Sequence, residues 1–417
     1  MEYGLIGHPL GHSFSKEIHE SITDYIYELC DIDENEIDAF MKSRDFKAIN
    51  VTIPYKQTVM PYLYEIDEKA SQIGAVNTIV NRDGRLYGYN TDLYGLKELI
   101  LRNTDSLKGK TVLILGSGGT SKTAAFVSKI LGAGKIYKAT RKDLRSPSDF
   151  DYIKYNELYR ISDSVDVMIN TTPVGMYPNV HSSAVDVGDF KNLGCVIDVV
   201  YNPLRTKLVS DAKKLCIPAE GGLYMLVSQA VYAIEHFLGC SIHDEVKEEA
   251  YKSVLMKREN IVLSGMPGSG KSSVGKIIAE TTGKRFIDTD ELISQRYGDT
   301  AEIIRTKGEK AFRDIETEVI SSITGEVGCV IATGGGAILR DENVDYLKRN
   351  GRIVFLDRDI DEIVPTENRP LSSDREQLIK RYEERFGRYN ETSDLHITSS
   401  GEKPEETARR IIEETRK

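Results

Sequence analysis

Short strand-like runs of apolar residues alternate with longer stretches whose polar and apolar positions mix as in amphipathic helices. The runs lie at residues 111–115, 135–139, 165–170, 196–200, 261–264, 329–332 and 352–356. Continuous apolar runs of this length are typical of buried parallel strands, and parallel strands need crossovers that are usually helical. The pattern therefore predicts an α/β fold along the whole chain.

Two polar segments divide this pattern. Residues 243–260, rich in Glu and Lys, precede a strand that runs into a glycine-rich loop, and residues 105–110 precede a second such unit. The 417 residues are enough for two or three domains. We expect a first lobe at 1–104, a nucleotide-binding lobe at 105–240, a C-terminal helix or linker at 241–255, and a last domain at 256–417.

Composition excludes several classes of function. The chain has 65 acidic and 55 basic side chains, and its net charge of −10 argues against nucleic acid or an anionic membrane as the main partner. Five cysteines without CxxC spacing and seven histidines without an HExxH motif indicate no zinc site. No run approaches the roughly 20 apolar residues of a membrane span, and the start lacks signal-peptide character. We expect a cytoplasmic protein that acts on small molecules; its oligomeric state stays open.

A phosphate-binding loop opens the last domain. Residues 265–272, GMPGSGKS, fit the pattern GxxxxGK[ST] between the strand at 261–264 and a helix expected from Ser272. Backbone N–H groups of such loops face phosphate oxygens. Lys271 would bridge the β- and γ-phosphates of ATP, and the Ser272 hydroxyl would bind Mg²⁺. The residues expected around the nucleotide are Gly268, Ser269, Gly270, Lys271, Ser272 and Ser273.

The residues after this loop favour a small-molecule kinase. Asp288 and Asp290 occupy alternate positions at the end of a predicted strand, so we expect both carboxylates on one side, near the loop. One can serve the metal ion and the other a substrate hydroxyl. The strand at 329–332 runs into Thr333 and the glycines 334–336, not into the acidic pair of a hydrolytic ATPase.

From about residue 259 to 417 the chain resembles shikimate kinase. The matching segments are the phosphate loop, Asp288-Thr-Asp290, GEKAFRDIE at 308–316, the triple glycine, Arg369-Pro-Leu and ERFGRY at 384–389. The resemblance implies a P-loop domain with a parallel sheet, in which Asp288 serves Mg²⁺ and Asp290 orients or deprotonates the attacking 3-hydroxyl of shikimate.

The same resemblance supplies the other site residues. It implies that Arg313 and Arg385 bind the substrate carboxylate, for which a planar guanidinium is suited. Gly335 and Gly336 would lend backbone N–H groups, and Arg369 would neutralise the transferring phosphoryl group. One departure is that only the 12 residues 357–368 separate Leu356 from Arg369, fewer than the family usually has. The missing part normally carries a further arginine near the adenine, so nucleotide affinity or lid closure is open to question.

A second glycine-rich loop lies at residues 116–121, where the strand at 111–115 opens into GSGGTS. A GxGxxG pattern with serine in third place is a weak dinucleotide signal. The next strand ends in basic residues instead of Asp or Glu, which suits the 2′-phosphate of NADP better than the ribose of NAD. A basic turn on a flavodoxin-like sheet is the alternative. The cofactor-binding candidates here are Gly116, Ser117, Gly118, Gly119, Thr120, Thr140, Arg141, Lys142 and Arg145.

Residues 1–255 resemble shikimate dehydrogenase from end to end. The matching segments begin at Gly7, Asn50, Gly74, Gly88, Asn170, Asp198 and Gly222 and read GHPLGHSFS, NVTIPYK, GAVNT, GYNTD, NTTPVGM, DVVYNP and GLYMLVSQA. The resemblance implies an α/β substrate lobe followed by a Rossmann lobe that binds NADP. Two departures are Lys16 in place of a common proline and a short segment of 34 residues, 16–49, between the first two motifs. We expect a smaller but competent lobe.

The chemistry implied is hydride transfer between a nicotinamide and a ring carbinol carbon, coupled to proton transfer at its oxygen. Lys56 is the candidate acid–base group, and Asp92 is its expected partner. The substrate would be held by Ser13, Ser15, Thr52, Asn77, Asp92, Tyr201 and Gln229. Gly222 and Met225 would lie near the nicotinamide, although Met225 could equally be ordinary helix core.

The sequence therefore predicts a bifunctional enzyme. Its first part would reduce 3-dehydroshikimate with NADPH, and its second part would phosphorylate shikimate with ATP and Mg²⁺. One alternative keeps the dehydrogenase but makes the last domain a nucleotide-binding regulatory module with little turnover. A second is a quinate-preferring dehydrogenase, which Arg141 and Arg145 argue against, and a third is a purely structural protein.

Overall fold

The computed structural model describes residues 1–10, 13–142, 150–363 and 375–416. The chain forms two compact units, Met1–Val254 and Leu255–Lys417. The described residues form three sheets, two in the first unit and one in the second. Within the described ranges, every helix is too short or too polar to cross a membrane.

The first sheet of the first unit is mixed. Its strands lie in the order β2-β1-β3-β5-β6-β4, with β5 antiparallel to both of its neighbours. The strands are β1 (Tyr3–Gly7), β2 (Tyr27–Asp31), β3 (Ala48–Val51), β4 (Glu65–Ile66), β5 (Thr78–Arg82) and β6 (Arg85–Tyr89). The helices of this part are α1 (Ser15–Ile22), α2 (Ile37–Ser43), α3 (Glu68–Ile73) and α4 (Asp92–Asn103).

The second sheet is parallel throughout, with the order β12-β11-β10-β7-β8-β9. The strands are β7 (Thr111–Leu115), β8 (Lys135–Thr140), β9 (Asp151–Lys154), β10 (Val167–Asn170), β11 (Cys195–Asp198) and β12 (Ala219–Glu220). The helices are α5 (Gly119–Ile130), α6 (Lys207–Lys214), α7 (Leu223–Leu238) and α8 (Asp244–Arg258). The division between the two units falls within α8.

Helices on both faces explain why the central strands are apolar throughout. Val112 and Ile114 of β7 enter a core cluster with α4 and α5, whereas Leu113 and Leu115 enter a separate cluster with α6. Alternate residues of a strand point to opposite faces, so a strand covered on both sides needs apolar residues at every position. This confirms the prediction of an α/β fold with a Rossmann-like sheet.

The second unit contains the third sheet, also parallel, with the order β14-β15-β13-β16-β17. The strands are β13 (Asn260–Ser264), β14 (Arg285–Asp288), β15 (Cys329–Ala332), β16 (Gly351–Asp357) and β17 (Leu395–Thr398). The helices are α9 (Lys271–Thr282), α10 (Thr289–Tyr297), α11 (Thr300–Ser322), α12 (Asp341–Asn350), α13 (Arg375–Thr392) and α14 (Pro404–Arg416). Short 3-10 helices in the two units span Met60–Tyr62, Tyr155–Arg160, Ser162–Ser164, Val187–Asp189, Ala337–Leu339 and Ile360–Glu362.

Both parallel sheets place a glycine-rich loop where the strand order changes direction. In the second sheet the loop after β7 lies at the switch between β7 and β10, and in the third sheet the loop after β13 lies between β15 and β16. Ligands of open parallel sheets bind in the crevice at such switch points. The topology thus marks the carboxyl ends of β7 and β13 as candidate nucleotide sites.

Candidate active sites

An ion pair in the first unit joins two residues that are far apart in the sequence. Lys56 follows β3, whereas Asp92 is the first residue of α4, where a helix N-terminus favours a carboxylate. The Lys56 Nζ donates to Asp92 Oδ2 at 2.5 Å, and the two side chains are only 19% and 11% exposed. The pair is therefore largely shielded from solvent, and a lysine held this way can deliver or accept a proton at a fixed place.

A buried amide fixes the second oxygen of this carboxylate. Asn77, which is 3% exposed, donates from Nδ2 to Asp92 Oδ1 at 2.9 Å and accepts from the backbone N–H of Thr91 at 2.7 Å. The Thr91 hydroxyl lies 3.4 Å from Gln229 Oε1 on α7. The predicted residues Lys56, Asn77, Asp92 and Gln229 thus form one connected polar cluster.

Two further predicted substrate residues form a separate group at the start of α1. The Ser13 hydroxyl donates to the Ser15 hydroxyl at 3.0 Å. The Phe14 ring lies 5.2 Å from the Tyr201 ring, so Tyr201 of the parallel-sheet lobe approaches this group. Thr52 directly follows β3, and its methyl group packs so closely on Gly7 that a side chain at Gly7 would overlap it.

The dinucleotide loop has room for a ligand. A Cβ at Gly116 would lie 2.9 Å from the Thr171 hydroxyl, so this glycine is needed where the loop turns at the sheet. A Cβ at Gly118 or Gly119 would meet no atom of the described residues within 4 Å, and α5 begins at Gly119. A helix N-terminus with open glycines in front of it fits a pyrophosphate. Ser117 is exposed beside them, and Thr120 lies in the first turn of α5.

The basic residues after β8 lie at the rim of this crevice. Thr140 is buried and accepts from the backbone N–H of Lys142 at 3.0 Å, whereas Arg141 and Lys142 are exposed. The Arg141 guanidinium lies 5.9 Å from the centre of the Tyr155 ring. Arg145 lies outside the described residues.

Gly222 and Met225 lie at the start of α7. A Cβ at Gly222 would be 2.2 Å from the carbonyl oxygen of Val199, so backbone packing alone requires this glycine. Met225 is 7% exposed and belongs to the core cluster shared with α4 and β7. The alternative of Met225 as ordinary helix core therefore has direct structural support.

A buried carboxylate that the site prediction left out organises the loops around Tyr201. Asp198 is fully buried and accepts from Asn170 Nδ2 at 2.9 Å, the Val200 N–H at 3.0 Å and the Thr206 hydroxyl at 2.6 Å. Burial raises the pKa of Asp198 to about 7 against the opposing effect of these hydrogen bonds. Asp198 thereby holds together the chain ends of β10 and β11 at the crevice.

The second unit has a cavity of about 330 Å³ at the phosphate loop. Gly268 and Gly270 have φ of 88° and 94°, which only glycine adopts readily, and these angles turn the loop toward the cavity. The Lys271 Nζ donates to the carbonyl oxygens of Gly265 and Met266 at 2.9 and 2.8 Å. The cavity is lined by Gly268, Gly270, Lys271, Ser272 and Ser273 of the loop and by residues of β14, α10, α11, α13 and the triple glycine.

The side chain of the predicted loop residue Ser269 is 2% exposed, and its Oγ has no hydrogen-bond partner among the described residues. Its contribution to nucleotide binding would have to come from the backbone. In the described part of the shortened stretch, Arg358 approaches the loop: its Nη1 would be 3.9 Å from a Cβ at Gly270. Its Nε donates to Glu362 at 3.1 Å.

The two predicted carboxylates reach the cavity by a different route than expected. Strand β14 ends at Asp288, and Asp290 lies in the first turn of α10, so the expectation of alternate strand positions is wrong for Asp290. Asp288 caps that helix by accepting from the N–H groups of Asp290 and Glu291. Its other oxygen accepts from the Ser272 hydroxyl at 2.7 Å. Both carboxylates line the cavity because the chain turns into a helix between them.

Arg313 is held in the cavity wall by two carboxylates. Its Nη1 donates to Glu316 at 2.7 Å and its Nη2 to Glu309 at 3.1 Å, and its side chain is 11% exposed. Burial alone would lower the pKa of Arg313, but Glu316 and Glu309 raise it overall, so the guanidinium stays charged. A Cβ at Gly336 would lie only 2.3–2.4 Å from this guanidinium, which explains why glycine stands there.

Arg385 approaches the same wall from α13. It is 8% exposed, and its Nη1 donates to the Gly335 carbonyl at 3.0 Å, as does the Tyr389 hydroxyl at 2.5 Å. Gly335 also packs on Pro267 of the phosphate loop, where a Cβ would be 2.7 Å from the proline ring. The triple glycine therefore lets loop and arginines come together. Arg369 lies outside the described residues.

Several lining residues were missed by the site prediction. Glu316 is fully buried, and within the described part of the chain its Oε1 has no hydrogen-bond partner. Burial raises its pKa, Arg313 opposes the shift and Asp290 adds to it. Arg381 also lines the cavity. Both could have been found from helical spacing, since residues three or four apart share a helix face with Arg313 and Arg385.

The three- or four-residue spacing of a helix face does not predict the break in α11. Gly308 has φ 84° and ψ 162° within α11, and the segments before and after it both contribute to the lining. The other missed lining residues are Pro267, Thr300, Ile304, Phe312, Thr333 and Gly334.

Comparisons with known proteins assign both units. Residues 267–416 match the family model for shikimate kinase, and residues 5–79 match that for the shikimate dehydrogenase substrate binding domain. A shikimate dehydrogenase (NADP(+)) of Clostridium perfringens strain 13 is 39% identical over 265 residues, which are 60% of this chain and 97% of that protein. The chain belongs to the shikimate dehydrogenase family and carries a shikimate kinase domain after it.

Other relatives of the shikimate dehydrogenase unit cover the same part of the chain. The Methanosphaera stadtmanae enzyme is 37% identical over 257 residues, 57% of this chain and 90% of that protein. A solved chorismate mutase/shikimate 5-dehydrogenase fusion protein from Clostridium acetobutylicum is 36% identical, with a TM-score of 0.57, over 60% of this chain and 96% of that one. The Thermus thermophilus shikimate 5-dehydrogenase solved in complex with NADP(H) and shikimate is 27% identical, with a TM-score of 0.54, over 61% and 99%.

The ranges matched by the two family models include some of the predicted site residues and leave others outside. The range of the shikimate dehydrogenase family model includes Lys56 and Asn77 but ends before Asp92. The range of the shikimate kinase family model begins at Pro267 and includes Asp290, Arg313 and the described part of α13. Arg381 therefore lies within the shikimate kinase domain.

Proposed function

We propose that this chain catalyses two consecutive reactions, the NADPH-dependent reduction of 3-dehydroshikimate to shikimate and the ATP-dependent phosphorylation of shikimate to shikimate 3-phosphate. We assign the first to residues 1–255 and the second to residues 256–417. The proposal rests on one observation, which is that the chain contains two separate sites with different chemistry. One is a shielded Lys56–Asp92 pair, and the other is an arginine-lined cavity at a phosphate loop. Both substrates are small molecules, and the expected cytoplasmic location stays a prediction.

In the dehydrogenase, the ion pair would handle the proton. Bound NADPH would supply the hydride to the carbonyl carbon. Lys56 would give a proton to the carbonyl oxygen as it becomes a hydroxyl, and in the reverse direction the neutral amine would take it back. Asp92 would keep the ammonium in place, and Asn77 would fix Asp92 in turn. A displacement of Lys56 by 1 Å would therefore slow proton transfer strongly.

The groups around this pair would bind the ring and the cofactor. Ser13, Ser15, Thr52, Tyr201 and Gln229 offer neutral donors and acceptors for hydroxyls and a carboxylate. The open glycines before α5 fit a pyrophosphate, and Arg141 and Lys142 fit a 2′-phosphate. These residues therefore favour NADP over NAD. They also argue against the quinate-preferring alternative, whose cofactor is often NAD.

In the kinase, the cavity residues divide between substrate and nucleotide. Bound ATP would supply the phosphoryl group, and Mg²⁺ would offset its charge. Lys271 and the loop N–H groups would bind phosphate oxygens, and Ser272 with Asp288 would hold Mg²⁺, since hard oxygen ligands suit this ion. Asp290 would orient the 3-hydroxyl and take its proton, while Arg313 and Arg385 would bind the carboxylate.

A single reaction mixture tests both halves. The full chain is given 3-dehydroshikimate, NADPH, ATP and Mg²⁺, and the products are followed by mass. We expect shikimate 3-phosphate to accumulate. The Lys56→Met variant should leave 3-dehydroshikimate unconverted but still phosphorylate added shikimate. The Asp290→Asn variant should form shikimate and not phosphorylate it.

The outcomes separate the alternatives. If the wild type stops at shikimate while it still binds ATP, the last domain is a nucleotide-binding module, as the short stretch at 357–368 suggests. If NADPH is not consumed, the dehydrogenase assignment is wrong. If quinate is oxidised faster than shikimate, the quinate-preferring alternative replaces it.

A further inference from the structure

A third arginine lines the kinase cavity together with the two expected to bind the substrate carboxylate. Arg381 lies four residues before Arg385 on α13, so the two side chains share a helix face. Both line the cavity, and so does Arg313 from α11. Arg388, one turn further along α13, instead donates to Asp341, Glu391 and the Ile338 carbonyl and does not line the cavity.

The donors of the first two arginines are partly committed to the protein. Nη1 and Nη2 of Arg313 donate to Glu316 and Glu309, and Nη1 of Arg385 donates to the Gly335 carbonyl. A carboxylate has two oxygens with about four acceptor sites, and a guanidinium has five N–H donors. A third guanidinium in the lining of the same cavity adds positive charge for an anionic ligand.

The electrostatics of the cavity favour an anion at this place. Burial lowers the pKa of Arg381, and the positive charges of Arg385 and Arg313 lower it further, against raising effects of Glu309 and Glu384. Positively charged groups that repel one another are stabilised when a negatively charged ligand binds beside them. Glu316 and Glu309 are hydrogen-bonded to Arg313, and an anionic ligand in the cavity would add to their stabilising effect on the three arginines.

We propose that Arg381 is a substrate-binding residue of the kinase, which contacts the carboxylate of the acid substrate together with Arg313 and Arg385. The inference rests on the proposed function and deepens it, because it makes the negative charge of the substrate a main determinant of specificity. A ring of the same shape without a charge would lose this contact. The phosphates of the nucleotide are served by Lys271 and the loop, not by Arg381.

The test compares charged and neutral ligands on the full chain. Arg381→Met removes the charge and keeps an unbranched side chain of comparable length, and titration calorimetry measures the Kd of shikimate. We expect the Kd and the KM of shikimate to rise about tenfold, which is a modest value for a partly exposed charge-assisted contact. The Kd of ATP and the kcat of phosphorylation should change less than twofold. The methyl ester of shikimate should bind wild type and variant equally.

Two further variants control for structure. Arg388→Met removes a guanidinium from the same helix and should leave the Kd of shikimate unchanged. Arg381→Lys should restore part of the affinity, since a point charge replaces a forked donor. Dehydrogenase activity and the melting profile verify that each variant is folded.

Each result bears on one claim. An unchanged Kd of shikimate in Arg381→Met overturns the inference, and so does an equal loss of affinity for the neutral ester. A rise in the Kd of ATP alone would assign Arg381 to the nucleotide and also overturn it. If the wild type neither binds nor phosphorylates shikimate, the proposed kinase function fails first, and the variants are then not needed to decide it.

Discussion

A methyl group added at Gly336 should weaken shikimate binding by the kinase because it displaces Arg313. The backbone of Gly336 has φ −114° and ψ 0°, a negative φ that alanine also adopts, so Gly336→Ala introduces no forced strain of the main chain. The new Cβ would lie 2.3 Å from Nη2 and 2.4 Å from Cζ and Nη1 of Arg313. Ordinary contacts between such atoms are about 3.5 Å, so the guanidinium has to move by about 1 Å.

The magnitude follows from what holds the guanidinium. Its 2.7 Å ion pair with the fully buried Glu316 has to lengthen, and breaking such a buried pair outright costs about 3–5 kcal/mol. We expect part of that loss in the stability of the second unit. A charge-assisted contact with the substrate contributes about 1.5–3 kcal/mol, which corresponds to a rise of roughly 10- to 100-fold in the KM of shikimate.

The assay measures phosphorylation at saturating ATP, with NADPH-dependent reduction in the same preparation as the internal reference. Gly387→Ala is the matched control, because a Cβ at Gly387 would meet no atom within 4 Å in the part of the chain that the structure describes. In a background of Arg313→Met, Gly336→Ala should cause little further loss, since its target is gone. An unchanged KM and an unchanged unfolding transition in Gly336→Ala would refute the reasoning.

Three further predictions concern the dehydrogenase unit. Asp92→Asn removes the partner of Lys56 and should lower the rate of NADPH-dependent reduction roughly 10²–10⁴-fold while phosphorylation continues; an unchanged rate would exclude the ion pair from the chemistry. Arg141→Asp should raise the KM of NADPH roughly tenfold and leave that of NADH unchanged, and an equal effect on both cofactors would contradict a 2′-phosphate contact. Burial raises the pKa of Asp198 to about 7, so the folded state binds the proton more tightly than the unfolded chain does. The free energy of unfolding should therefore fall as the pH rises from about 4 to 7 and through that pKa. Asp198→Asn should flatten this slope in denaturant unfolding between pH 5 and 8, whereas Asp163→Asn at an exposed position should keep it; a slope that persists in Asp198→Asn would point to other groups.

Much of the fold follows from the order of apolar runs. The strands at 111–115 and 329–332 begin and end at the predicted residues, because buried parallel strands leave a continuous apolar signature. The strand predicted at 196–200 instead spans Cys195–Asp198. The reason is a local turn, since the Asp198 carboxylate accepts from the Val200 N–H two residues further on and ends the strand there.

The phosphate loop is the clearest case of a local feature that the sequence determines by itself. Its glycines adopt positive φ because of covalent geometry, and the helix starts at Lys271, one residue before the predicted Ser272. The same holds for the resemblance to the two families, which depends on ordered motifs and which the comparisons confirm. The individual site roles stay predictions.

Contacts between distant segments are what only the tertiary structure decided. The resemblance implied Asp92 as the partner of Lys56, but the distance and burial of this contact across 36 positions come from the fold. Asp290 reaches the cavity through a helix turn, although an alternation of strand residues was expected. Glu316 and Arg381 have the helical spacing to share a face with Arg313 and Arg385, but only the fold places them in the cavity wall. A sequence records the local periodicity of each element, whereas the electrostatic environment of a side chain depends on which elements the fold packs around it.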